Sequence, residues 1–205
     1  MTPDSPSLGK FVLRTFLWLP LCFAAWFFSA KYHAAIAGEL ARLVVDLFKP
    51  GIVSALEQTG FNLVFVTTLE VHPAPGKTAF LLLEVNPLIY TYGLAFFLAL
   101  MLAARARWWK ILVGVAALLP FQSWGIAFDF LAQAGVKLGA DISAQAGLIG
   151  WRTEAIALGY QIGSLILPSL VPVVLWAVFS RPFIDSVRPQ VPALMPMPAK
   201  AARPE

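Results

Sequence analysis

Three groups of side chains in this 205-residue chain are of a kind that does chemistry. The first is the only cysteine, Cys22, set between Leu21 and Phe23. A nucleophilic thiolate needs a lowered pKa and a nearby base. Arg14 lies eight residues before it and His33 eleven after, so Cys22 reads as a small buried apolar residue. The second group is polar residues embedded in apolar sequence. Glu84, Asn86 and Tyr90 occur in "LEVNPLIYTYG" (83–93), Gln122 and Asp129 sit seven apart on one helical face, and Arg152, Glu154, Tyr160 and Gln161 follow in "WRTEAIALGYQ". Paired carboxylates can do acid–base work, and polar residues inside spans are functional hypotheses by default. The third group is the two histidines, His33 and His72, too few for a His-rich metal or haem site. There is no His-Glu-x-x-His motif, no Gly-rich phosphate loop and no Gly-x-Gly-Asp signature. The expectation is a protein that is not an enzyme, with no catalytic residues, metal or cofactor.

The elements that position these groups are set by the bilayer. The chain is 59% hydrophobic and 13% charged, with a mean hydropathy of +0.76; soluble domains are about 25% charged. A helix needs about 20 apolar residues to cross the hydrocarbon, and four segments qualify: about 11–30, 87–104, 108–130 and 155–179. Pro20, Pro120, Pro168 and Pro172 fall inside them and predict kinks. The first span reads as retained, because its apolar stretch is longer than the ~7–15-residue core of a cleaved signal. Nine basic residues (Lys10, Arg14, Arg105, Arg107, Lys110, Arg181, Arg188, Lys200, Arg203) fall on the side of the termini, and six (Lys31, Arg42, Lys49, Lys77, Lys137, Arg152) fall in the longer loops opposite. That bias predicts cytoplasmic termini, with loops 31–86 and 131–154 outside. Scattered at span ends, these cations give no support for nucleic-acid binding.

The outer loop 31–86 has its own pattern. "HAAIAGELARLVVDLF" puts Ile36, Leu40, Leu43, Val44, Leu47 and Phe48 at helical spacing, which predicts an amphipathic helix at the outer interface or capping the bundle. Pro50-Gly51 ends it. "FNLVFVTTLEV" (61–71) and "TAFLLLEV" (78–85), joined by "HPAPGK", predict a β-hairpin. Loop 131–154 is expected to hold a short helix. The fold class is therefore an all-α integral membrane protein of four transmembrane helices, with a periplasmic amphipathic helix and a small β-hairpin. Residues 1–180 form one membrane domain, and 181–205 a disordered Pro-rich cytoplasmic tail with six prolines over 182–205.

In this frame residues 83–93 mark where an extended strand enters the membrane. Asn86 is a good N-cap and Pro87 suits the first helical turn. Glu84 complements the positive end of the helix dipole, and Tyr90 and Tyr92 are at interface depth. Should the stretch dock a partner, the face shared by Asn86 and Tyr90 is expected to carry the contact. The Asn-Pro-Leu-x-Tyr-x-Tyr-Gly run, Asn86 to Gly93, after the basic first span with "FLWLPLCFAAWF", resembles the exosortase H-associated membrane proteins. The resemblance implies a small bacterial inner-membrane protein that serves an exosortase-type transpeptidase, the enzyme that processes C-terminal sorting signals. It carries over no catalytic residues.

The outer-half residues Glu84, Asn86, Tyr90, Gln122, Asp129, Arg152, Glu154, Tyr160 and Gln161 have two readings. They are interhelical hydrogen bonds with one Asp129–Arg152 ion pair, of the ~0.6 kcal/mol kind common in membranes, or they line a polar cavity for a peptide tail or lipid headgroup. For the whole protein, a partner role in an exosortase system is expected. The alternatives are a lipid- or quinone-type binding protein and an intramembrane enzyme using Asp129 or Glu154.

Overall fold

The computed structural model describes residues 8–74 and 76–187. Its first helix, α1, runs from Leu8 to Phe48, 41 residues. At 1.5 Å per residue this is roughly 60 Å, twice the ~30 Å of a hydrocarbon core. Only half can cross, and the charges decide which. Lys31, Glu39, Arg42 and Asp46 lie in the second half, with Lys49 just beyond its end, and there Arg42 bonds Glu39 at 3.0 Å and lies 3.9 Å from Asp46.

The separate amphipathic helix is thus corrected. It is the distal half of α1, because no proline interrupts the chain between Pro20 and Pro50. The buried face also differs from expectation. Ala34, Ala37, Gly38, Ala41 and Val45 are buried, while Ile36, Leu43 and Leu47 are 55%, 55% and 83% exposed. Small residues let a sheet lie close against the helix, and a Cβ on Gly38 would fall 2.8 Å from Leu63 Cδ1.

That sheet has three antiparallel strands in the order β1-β2-β3: β1 Val53–Thr59, β2 Asn62–Ala74 and β3 Lys77–Val85. The expected hairpin is β2–β3, with Leu63 opposite Val85 and Phe65 opposite Leu83. The additional strand, β1, pairs Thr59 with Asn62 across a two-residue turn in which Gly60 has φ +63°, the left-handed value a tight hairpin requires. Leu63, Phe65, Leu83 and Val85 point inward with Ala37, Ala41 and Val45 of α1. The register shifts between Val66 and Glu70. Beyond it, the Gln145 side chain stands in for a strand, accepting from the Glu70 N–H and donating to its carbonyl, both at 3.0 Å.

After the sheet come α2 (Leu88–Thr91) and α3 (Gly93–Ala103). Next is α4 (Trp108–Ala132), extended by a wide π turn over Gln133–Lys137. The expected short helix of the second loop is α5 (Ala140–Ala146). Finally α6 (Trp151–Gln161) continues through a second π turn, Ile162–Ile166, into α7 (Leu167–Phe179). Among the described residues three helices are long and apolar enough to cross a membrane, Leu8–Phe48, Trp108–Lys137 and Trp151–Phe179, and Leu88–Ala103 is a shorter apolar helix. The last is only ~24 Å long.

The helices alternate in direction. Phe11, at the start of α1, clusters with Leu100 and Ala103 of α3 and stacks at 5.3 Å on Trp176, near the end of α7. The second π turn accommodates Pro168, which cannot continue a regular α-helical ladder. Pro172 leaves the Pro168 carbonyl without a helical donor, and Gly93 of α3 packs directly on that carbonyl. The expected tail of 181–205 opens with a helix, α8 (Arg181–Val187); residues from 188 lie outside the described residues.

Two glycines should therefore respond differently to alanine. A Cβ on Gly93 collides with rigid backbone and a proline ring. Gly93→Ala should destabilise by roughly 1–3 kcal/mol, despite the ~1 kcal/mol helix-propensity gain. Gly38→Ala meets only movable Leu63 and Leu56 methyls and should be close to neutral. Thermal unfolding in detergent distinguishes the two.

Candidate functional site

The expected outer-half cluster divides. Its centre is Asp129 on α4, a carboxylate only 8% exposed. Its partner is Lys137, not Arg152: Lys137 Nζ lies 3.1 Å from Asp129 Oδ1. In a regular helix position i+8 is rotated away from i. The π turn over Gln133–Lys137 accommodates one extra residue, so Lys137 arrives where i+7 would be, two turns on along the same face. Lys137 Nζ also lies 4.4 Å above the Tyr160 ring, close enough for a cation–π contact. The Tyr90 phenol completes the group through its electrostatic interaction with Asp129. Tyr90, Asp129, Lys137 and Tyr160 therefore tie α2, α4 and α6 together at the sheet end of the bundle.

A second polar group lies deeper. Gln122 is 3% exposed, and its Oε1 pairs with His33 Nε2 of α1. Its amide nitrogen is buried with no hydrogen-bond partner among the described residues, beside a small cavity lined by Tyr90, Gly93 and Pro168. On the same side of α1, Trp26 Nε1 donates to Thr91 Oγ1 at 3.3 Å. Cys22 is buried with Trp26, Leu94 and Phe97.

The remaining expected residues stand apart. Glu84 is exposed, its carboxylate accepting from the Asn62 amide, while its backbone carbonyl accepts from Gln133 Nε2 at 3.0 Å. Asn86 Oδ1 accepts from the Leu88 N–H at 3.0 Å, as an N-cap should. Arg152 donates to the Gly147 carbonyl at 3.2 Å, which corrects the expected Asp129–Arg152 pair. Glu154 and Gln161 are exposed. Tyr90 is 2% exposed, its ring beneath Gly125, so it is unavailable to a partner and the expected docking face of Asn86 and Tyr90 is corrected too.

Sequence reasoning missed Lys137 and His33 as members. From sequence Lys137 reads only as a loop charge, because nothing in "DFLAQAGVK" announces a π turn. His33 was placed beyond the membrane end of span one, whereas the continuous α1 carries it on the face that holds Trp26 and Ala37.

Chemically, Asp129 is already engaged, while Glu154 stands exposed and apart from it. Asp129 is paired with a cation beside a phenol, and the Cys22 thiol is buried within an apolar cluster. The arrangement is a polar clasp between helices.

Apolar helices of membrane-crossing length, clasped by buried polar side chains and carrying a small sheet at one end, define a helical membrane protein. The family model of the exosortase H-associated membrane proteins matches residues 5–183, and the chain belongs to that family. No curated protein and no solved structure matches it.

The clasp makes a pairwise prediction. Lys137→Met leaves Asp129 with a nearly buried charge and should cost roughly 1–3 kcal/mol. Adding Asp129→Asn should recover part of that loss, a coupling seen in a double-mutant cycle. Arg152→Ala should stay within about 0.5 kcal/mol. Thermal or denaturant unfolding of the four variants measures all three effects.

Proposed function

We propose that the protein is a non-enzymatic partner of an exosortase in a bacterial inner membrane, with four spans and both termini cytoplasmic, and that it meets the exosortase through the distal half of α1. The family assignment supports the association. The observation that carries the docking surface is a stripe along α1: Phe28, Tyr32, Ile36, Leu43 and Leu47 are 81%, 74%, 55%, 55% and 83% exposed, with half-buried Leu40 between. Their spacing of three or four residues puts them on one face. The opposite face holds the sheet, so the stripe is free for a second helix. Large apolar surfaces of this kind mark interaction sites.

The stripe begins where the apolar half of α1 ends and continues among charged residues. It suits a partner that itself rises out of the bilayer, as an exosortase acting on sorting signals at the membrane surface would. The protein would then position the transpeptidase or its substrate and leave the chemistry to it. The engaged state of Asp129 and the apolar surroundings of Cys22 favour this over an enzyme. The short α2–α3 helix, Leu88–Ala103, is the fourth span in this reading, held inside the bundle where a length below ~30 Å is tolerated.

Ile36→Asp with Leu43→Asp should abolish co-purification of exosortase H from native membranes and leave the melting temperature unchanged. Retained capture would remove α1 as the interface. The orientation has a separate test. A cysteine at exposed Thr78 should react with an impermeant reagent in intact cells, and one at Arg107 should not; the reverse pattern would invert the topology.

A further inference from the structure

At the end of the bundle opposite the sheet, α3 returns into α4 through "ARARWWK", and α7 turns into α8 beside it. The two turns enclose an open cavity of about 160 Å³. Its walls include Arg105, Arg107 and Lys110 from the first turn and Phe179, Ser180 and Phe183 from the second. Among the described residues, no aspartate or glutamate lines it.

Charge bias at a span end needs only cations near the surface. Three further features exceed that requirement. Arg105 adopts φ +53°, the only positive φ outside glycine among the described residues, a conformation that costs a side-chain-bearing residue energy. Lys110 Nζ donates to the Phe179 carbonyl at 2.7 Å, which fastens α4 to the end of α7 and fixes the cavity's back wall. Arg105 and Arg107 are exposed and have no carboxylate partner among the described residues. The cavity is therefore a rigid-backed pocket whose two free cations are unneutralised.

Its position selects the anion. Trp108 and Trp109, next along the chain, are 73% and 42% exposed and form the interfacial aromatic pair that borders headgroups. The apolar wall of Phe179 and Phe183 continues into the lipid-facing surface of α7, where Val174 and Val178 are exposed. An amphiphilic ligand would thus place its phosphate at the arginines and its glycerol and acyl chains along α7. Basic pockets between membrane helices bind anionic headgroups in this way.

We propose that the α3–α4 turn and the α7–α8 corner form a binding site for the phosphate headgroup of an anionic phospholipid, held by Arg105 and Arg107. The site is remote from the α1 stripe, so it stands or falls independently of the exosortase partnership.

The test uses the full chain in nanodiscs of phosphatidylcholine, titrated with phosphatidylglycerol and read by native mass spectrometry of retained lipid. The wild type should retain phosphatidylglycerol in preference to phosphatidylcholine. Arg105→Asn and Arg107→Gln should each lose roughly fivefold in that preference, given ~1 kcal/mol per cation, and together should remove most of it. Asparagine tolerates the left-handed backbone at position 105. Lys31→Gln, at the other end of the bundle, should change nothing, and an unaltered melting temperature in lipid-free detergent shows that the variants fold. Equal retention of both lipids by the wild type, or preference surviving in the double variant, would overturn the proposal. So would stabilisation by millimolar inorganic phosphate in phosphatidylcholine alone with no effect of phosphatidylglycerol, which would make the site one for soluble phosphate.

Discussion

The mismatch between a 41-residue helix and a ~30 Å bilayer organises this molecule. A helix twice as long as the hydrocarbon is thick must leave it, and the charges on the distal half of α1 determine which half does so. Once outside, that half has two faces to satisfy. Alanines and a glycine cover one by accepting a three-stranded sheet at close range. The other keeps its isoleucine and leucines uncovered. Placement of the sheet, the half-buried histidine and the free apolar stripe all follow from α1 continuing where a shorter helix would have ended.

The polar interior performs a second task, fixing helices that the hydrophobic effect alone cannot orient in lipid. Apolar helices gain little from one another in hydrocarbon, so close packing and interhelical hydrogen bonds decide their arrangement. Close packing comes from Gly93 and Gly125, each abutting a neighbour that leaves no room for a methyl group. The hydrogen bonds come from the Asp129–Lys137 pair, which the Tyr90 phenol flanks, and the His33–Gln122 pair. A π turn places Lys137 within the clasp, a frequent role for such turns at sites that matter.

Much of the architecture was legible because it rests on strong, local signals. Hydropathy located the long apolar segments, although Leu88–Ala103 is shorter than the span expected there. Asn86 and Pro87 announced the start of α2, and β-branched and aromatic runs gave β2 and β3. Strand β1 is hidden in the sequence because "ALEQ" is built of helix-favouring residues, and its pairing with β2 overrides that propensity. The buried face of distal α1 was misread for a related reason. Large apolar residues suggest burial, but a sheet packing on a helix selects small ones, and the leucines were left for the other side. The site was legible in part: Asp129, Tyr90 and Tyr160 converge, yet their cation came from eight residues along the same helix rather than from Arg152. Such a register change depends on hydrogen bonding in the folded helix, which residue spacing does not reveal.

Continuity of α1 beyond Ala30 is the most direct point of test. Spin labels at Leu21 and Leu47, both exposed, in a Cys22→Ala background can be measured by pulsed electron–electron resonance in nanodiscs. A continuous helix places the two backbone positions about 39 Å apart at 1.5 Å per residue. A helix that broke after Ala30 and turned to lie along the membrane surface would place them about 29 Å apart. A single narrow distribution centred near the longer distance is the predicted result. A distribution centred near the shorter one would contradict the account, because the sheet would lose its rigid support and the exposed stripe would be buried in lipid instead of facing a partner.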